Sequence, residues 1–274
     1  MSDLKIIGIA SGKGGVGKTT ISANLAVALA DAGNRVMLFD GDLGLANAQL
    51  ALGIKVDYNF SHVISGEKTL SEIVVRGPSD IYVVPGASGI GKMADLGEAE
   101  LQGMIQSFSE FKEPLDYLIV DAAAGISLAV ITFLKACHQT LIVVRDEPSS
   151  IADAYGIIKV LVTEQNYTQL SLIPNGVPDQ RSGELLHRRL NAVCLKFLNL
   201  ELGYTYSIES DEMITEAARK YLPVMKHAPG SSAARDFRKL AKEVVTFPPQ
   251  QGASGGLQFF IERMLNTQPE VQNG

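Results

Sequence analysis

Residues 12–19, Gly-Lys-Gly-Gly-Val-Gly-Lys-Thr, constrain the fold more than any other stretch. The pattern G-x-x-x-x-G-K-T works only between a strand and a helix. Its glycines let the backbone curl until successive N–H groups point at one phosphate chain. The next helix adds the partial positive charge of its N-terminus. The flanking residues supply that context. "LKIIGIA" (4–10) is a short β-forming run. Ile21, Leu25, Ala28, Leu29 and Ala32 then recur at helical spacing, up to Gly33, a residue suited to ending a helix. Gly12, Gly14, Gly15, Val16, Gly17, Lys18, Thr19 and Thr20 are therefore the candidate nucleotide-binding residues of this loop. Lys18 is placed to reach the terminal phosphates, and the Thr19 hydroxyl to ligate Mg2+. Lys13 has no role in this account, because a phosphate loop needs only one lysine.

Similar apolar runs recur along the chain: "RVMLFD" (35–40), "IYVVP" (81–85), "LDYLIVD" (115–121), "QTLIVV" (139–144), "LSLIPN" (170–175) and "YTYSI" (204–208). Most are nearly continuous, as in strands buried on both faces of a parallel sheet. Helical patterns fall between them, near 97–112, 126–136, 149–165, 182–201, 211–221 and 231–244. The alternation predicts an α/β fold over residues 1–247: a single doubly wound, mainly parallel sheet with helices on both faces. "PPQQGASGG" (248–256) reads as a flexible linker. Leu257, Phe260, Ile261, Met264 and Leu265 then fall on one face of an expected amphipathic helix, 257–265, before a polar tail, 266–274. Nine helical residues span only ~14 Å, so this helix would lie on a membrane surface or dock on its own domain, not cross a bilayer.

Composition removes several function classes. No apolar run is long enough to span a bilayer, and "MSDLKIIGIA" is too short in its apolar part for a secretion signal. Cys137 and Cys194 stand alone, which suits reduced thiols in the cytoplasm. The histidines, His62, His138, His187 and His227, lack metal-site spacing. A net charge of −6 argues against a protein that coats nucleic acid with its whole surface.

Acidic residues stand at the strand ends where ligands of open α/β sheets bind. "VMLFDGD" supplies Asp40 and Asp42, and "YLIVD" supplies Asp121. Asp42 and Asp121 are the candidates for holding Mg2+ or orienting an attacking water. Asn175, at the end of "LIPN", offers the donor and acceptor that adenine recognition needs; a plain turn before Gly176 is the competing explanation. "GASGIGKM" (86–93) imitates the phosphate loop, but Met93 replaces its metal-binding hydroxyl.

"GKGGVGKTT" resembles the deviant phosphate loop of the MinD/ParA superfamily, marked by the early lysine. "FDGDLGLANAQLALG" and "IVDAAAGIS" resemble its two switch regions. "DLGLAN", "DAAAGI", "DEPSSIADAY" and "LQFFIERML" are similar to the MinD-like regulators of flagellar number and placement, the FlhG/FleN group. The resemblance implies a slow, Mg2+-dependent ATPase that pairs face to face with ATP between two copies. It implies Lys13 reaching the partner's phosphates, Asp42 positioning the water, Asp121 in the metal shell and Asn175 on adenine. It also implies membrane association of the ATP-bound dimer through the C-terminal helix, localisation at the cell pole, and control of a flagellar transcription activator or assembly protein. Ala122 stands where the family has a threonine, and Glu209 where it has a proline in the base-binding segment. No N-terminal GTPase-stimulating arm precedes the first strand, which favours the transcription activator as partner.

A ParA-type DNA-partitioning ATPase is the alternative. Between residues 219 and 243, seven cations (Arg219, Lys220, Lys226, Arg235, Arg238, Lys239 and Lys242) face two acids, although a charged, solvated helix surface explains them more simply. The second switch has no cysteine, which removes the iron–sulfur reductases of the superfamily.

Overall fold

A computed structural model describes residues 4–44, 47–87, 96–248 and 258–260. The chain alternates as expected. Its elements begin with β1 (Lys5–Ser11), α1 (Lys18–Asp31), β2 (Val36–Gly41), α2 (Ala48–Ala51), α3 (Phe60–Ile64), α4 (Leu70–Ile73), β3 (Val75–Arg76) and β4 (Tyr82–Val84). They continue with α5 (Glu98–Ser107), β5 (Tyr117–Ala124), α6 (Leu128–Lys135), β6 (Gln139–Val144), α7 (Pro148–Thr163), β7 (Leu170–Val177) and α8 (Gln180–Leu198). Last come β8 (Gly203–Tyr204), β9 (Ile208–Glu209), α9 (Glu212–Arg219), α10 (Val224–His227) and α11 (Ser232–Thr246). Among the described residues the strands form one sheet ordered β3-β4-β2-β5-β1-β6-β7-β8, with β9 also paired to β7. Every pairing is parallel except β3 with β4, at the edge.

The continuous apolar runs are explained by two covered faces. Ile7, Ile9, Leu38, Ile119, Leu141 and Val143 pack against α1 and α11. Their strand neighbours Ile6, Met37, Phe39, Leu118 and Val120 face α3 to α6. Further along the sheet, Ala10, Ile142, Val144 and Leu172 meet α6, α7 and α8. β1 is central, so the loop after it opens at the middle of the sheet's carboxyl edge. Helix α1 is buried from Ile21 through Leu29. It ends as expected at Gly33, whose φ of 92° lets Gly33 and Asn34 donate back to Ala30 and Leu29.

Two expectations need revision. "YTYSI" is not one strand. Tyr204 pairs with Leu172 and Ile208 with Asn175, while Thr205 between them turns both its N–H and its hydroxyl onto the Leu172 carbonyl. At the C-terminus, Phe260, expected on the apolar face of a helix lying on a membrane or docked on its own domain, is fully buried, and its φ of 58° is one a regular α-helix does not contain. It packs with Phe259 against Phe108, and Phe259 also meets Phe39. Aromatic burial explains the difference: two rings gain more in the core than on a wet helix face. Leu257, Ile261, Met264 and Leu265, and the linker beyond residue 248, lie outside the described residues.

Candidate nucleotide site

The loop after β1 is built by glycines with distinct duties. Gly15 and Gly17 have φ of 78° and 99°, a region that penalises any side chain. A Cβ on Gly17 would also strike the Asn175 amide, and one on Gly12 would overlap the Asp153 carbonyl of α7. Gly14 differs: no positive φ requires it, and a Cβ there would meet nothing within 4 Å among the described residues. The side-chain-free backbone around Gly14 and Gly15 therefore faces open space, as a phosphate cradle must. Helix α1 begins at Lys18 directly behind it, and the Ile21 N–H closes the first turn on the Gly17 carbonyl (2.9 Å). Val16 is buried, and its carbonyl accepts from Asn175 Nδ2 at 2.7 Å. The Thr20 carbonyl accepts from Asn24 at 2.9 Å, and Asn24 also accepts from the Met225 N–H at 3.1 Å.

Asp40 and Asp121 face one another across β2 and β5, both buried. Burial, then mutual repulsion for Asp40, holds both carboxyls well above the usual carboxylate range. Asp121 is partly compensated by hydrogen bonds from the Thr19 and Ser22 hydroxyls, the latter at 2.8 Å, and by the nearby Lys18 charge. Thr19, Lys18 and Asp121 are thus brought together as the sequence suggested. Asp40 is spent on the backbone instead. Its carboxylate accepts from the Asp42 N–H (3.2 Å) and the Ala48 N–H (2.8 Å), at either end of the stretch that resembles a first switch. Asp42 itself is partly exposed and accepts from the Gly44 N–H at 3.2 Å.

The donors fit Mg2+. Among the described residues no three His, Cys, Asp or Glu side chains form a ready metal cluster. A hydroxyl and one or two carboxylates, with the remaining positions left to phosphate and water, is the set Mg2+ prefers. Thr19 and Asp121, with Asp42 on the neighbouring strand end, would hold it, and the ion would neutralise phosphate charge during transfer.

Lys13 points away from the cradle. Its ammonium donates to Ser149 Oγ at 2.9 Å and lies 3.9 Å from Glu147, which also pairs with Arg145 at 3.2 Å. Glu147 and Ser149 sit at the start of α7, inside "DEPSSIADAY", a stretch that resembles the flagellar regulators without by itself marking either as a site residue. A contact spanning 136 residues leaves no trace in local spacing. Ser22 escapes sequence reasoning for the same reason, and Asp153, although inside "DEPSSIADAY", gives no sign there of its contact with Gly12. The decoy at 86–93 lies outside the described residues beyond Ala87. A Cβ on its Gly86 would press on Asp40, so the start of that segment serves packing.

Known proteins resemble this chain in sequence and in fold. A family model described as an AAA domain matches residues 4–172. The antiactivator FleN of Pseudomonas aeruginosa is 40% identical over 97% of this chain and 95% of its own. The flagellum site-determining protein YlxH of Helicobacter pylori is 35% identical over 95% and 90%. The structure of the septum site-determining protein MinD from Pyrococcus horikoshii, complexed with Mg-ADP, superposes with a TM-score of 0.75, at 28% identity and coverage of 89% and 96%. With its phosphate loop, strand-end aspartates and early lysine, the chain belongs to the MinD/ParA family of P-loop ATPases, beside the flagellar regulators FleN and YlxH.

Proposed function

We propose that this protein is an ATP-driven dimerising switch that regulates flagellar number or placement, hydrolysing ATP slowly between a monomer and an ATP-sandwiched homodimer. The placement of Lys13 carries the reading. Its partners Ser149 and Glu147 are on the surface, where such a pair contributes only ~0–1 kcal/mol. A phosphate chain, more highly charged and water-shielded between two copies, outcompetes that contact. Lys13 would then act in trans, as an arginine finger does. Gly14 supports this: a glycine with no steric neighbour among the described residues suits close approach by a phosphate or a second copy. Lys18 and the loop N–H groups would bind phosphates, Asn175 the base, and Asp42 would orient the attacking water.

Size-exclusion chromatography with light scattering tests this reading. The wild type should pair with ATP and not with ADP, and Lys13→Ala should stay monomeric in both; a Lys13→Ala variant that pairs normally would overturn it. Asp42→Ala should leave pairing intact and slow hydrolysis at least tenfold, so an unchanged rate would remove Asp42 from the mechanism.

The output is partner binding: a flagellar transcription activator or assembly protein, as FleN's name as an antiactivator suggests. Membrane association in the ATP state, at the cell pole, follows if the C-terminal segment docked through Phe259 and Phe260 is released on pairing. Liposome co-sedimentation with and without ATP checks this, and equal pelleting would sink it. Direct DNA binding is disfavoured. Lys226 pairs with Asp31 at 2.9 Å, Arg235 and Arg238 donate to the Gly230 and Pro229 carbonyls, and Lys239 lies over the Tyr206 ring.

A further inference from the structure

The rim of the site beyond Asn175 carries a carboxylate that the proposed function leaves unused. Asn175 is bonded to the phosphate loop at Val16, so the end of β7 lies against the cradle. β9 is paired at that same end, with Ile208 opposite Asn175 and Glu209 opposite Val177. A nucleotide whose phosphates occupy the loop and whose base meets Asn175 would bring that base to the β7–β9 end of the sheet, where Glu209 stands opposite Val177. The backbone of Glu209 is pinned there: its N–H donates to the buried carboxylate of Asp236 at 3.0 Å. Its side chain is oriented too. Gln180 Nε2 donates to Glu209 Oε1 at 3.1 Å and to the Ser207 carbonyl at 3.0 Å, which uses both amide hydrogens. Among the described residues, no donor takes Glu209 Oε2 and no cation pairs with the group.

We propose that Glu209 reads position 6 of the purine, accepting a hydrogen bond from the exocyclic amine of adenine and so selecting ATP over 6-oxo nucleotides. This rests on the reading of the site as an ATP site. A carboxylate only accepts. Adenine offers an N–H at position 6, whereas hypoxanthine and guanine offer a carbonyl oxygen. An acceptor facing an acceptor leaves both unpaired, which rejects the wrong base more strongly than shape alone. Gln180 makes the preference directional, because it occupies Oε1 and leaves Oε2 as the oxygen to accept from the base.

The test is calorimetric binding of Mg-ATP and Mg-ITP to the full chain. The wild type should favour ATP at least tenfold, about 1.4 kcal/mol. In Glu209→Gln the amide oxygen must face Gln180, whose hydrogens are already directed, so the new NH2 faces the base. That variant should lower the ATP-to-ITP ratio at least tenfold, moving toward or past equality. Glu209→Met, which removes the acceptor and supplies no donor, should flatten the preference without inverting it, and gives a second route if the glutamine variant folds poorly. A wild type that prefers ITP, or a ratio unchanged in both variants, overturns the assignment while leaving the ATP site intact. A wild type that binds neither nucleotide overturns the site reading and this one together.

Discussion

At the scale of single residues, identical side chains do different work here. Gly12 and Gly14 are both loop glycines, yet only Gly12 is crowded, by the α7 backbone at Asp153. Gly12→Ala should destabilise the nucleotide-free chain by about 1–3 kcal/mol, the range for an overfilled interior. Gly14→Ala should leave its thermal midpoint almost unchanged while reducing ATP-dependent pairing. Comparing the two by calorimetric melting separates packing from ligand approach; equal losses would contradict the assignment. His138 provides a residue-scale pH prediction. It is buried just before β6, its Nε2 has no partner among the described residues, and burial lowers its pKa to about 4. The unfolded chain, with the ordinary histidine value, binds the extra proton first. Stability is therefore full above about pH 6.5 and falls as pH drops toward 4, by on the order of 3 kcal/mol. Urea midpoints across that window should fall in the wild type and fall less in His138→Gln.

At the scale of elements, most helices and strands follow from local patterns, and the exceptions have tertiary causes. β6 (Gln139–Val144) matches its apolar run residue for residue, because a strand buried on both faces is apolar throughout. Short α2, α3, α4 and α10 leave no legible period, since four or five residues make little more than one turn. The turn at Phe259 and Phe260 looks like a helix face in the linear sequence because both patterns place aromatic residues together, and only the pocket formed by Phe39, Phe60 and Phe108 distinguishes them. Phe259→Ala should cost about 3 kcal/mol of this docking or more. If the docked segment masks a membrane contact, the variant should also pellet with liposomes without ATP. No increase in pelleting would separate docking from masking.

At the scale of the whole molecule, the proposed pairing would complete the site. The cradle, Thr19, Lys18 and Asp121 belong to one chain, whereas Lys13 is turned outward onto Ser149 and Glu147. If catalysis needs the partner's lysine, specific ATPase activity should rise with protein concentration and level off as the dimer saturates. A flat rate over two decades of concentration would mean that each chain works alone. Among the described residues no helix is long and apolar enough to cross a membrane.

The phosphate loop, the parallel sheet and the strand-end aspartates were legible in the linear sequence. Their chemistry depends on residue type at short spacing, and short spacing survives folding. The destination of the Lys13 side chain, the clasp of Asp40 on the first switch, the reason for Gly12 and the setting of Glu209 were decided only by the tertiary structure. Each joins groups from separate elements, and one chain's sequence carries no measure of which distant groups the sheet order will bring together.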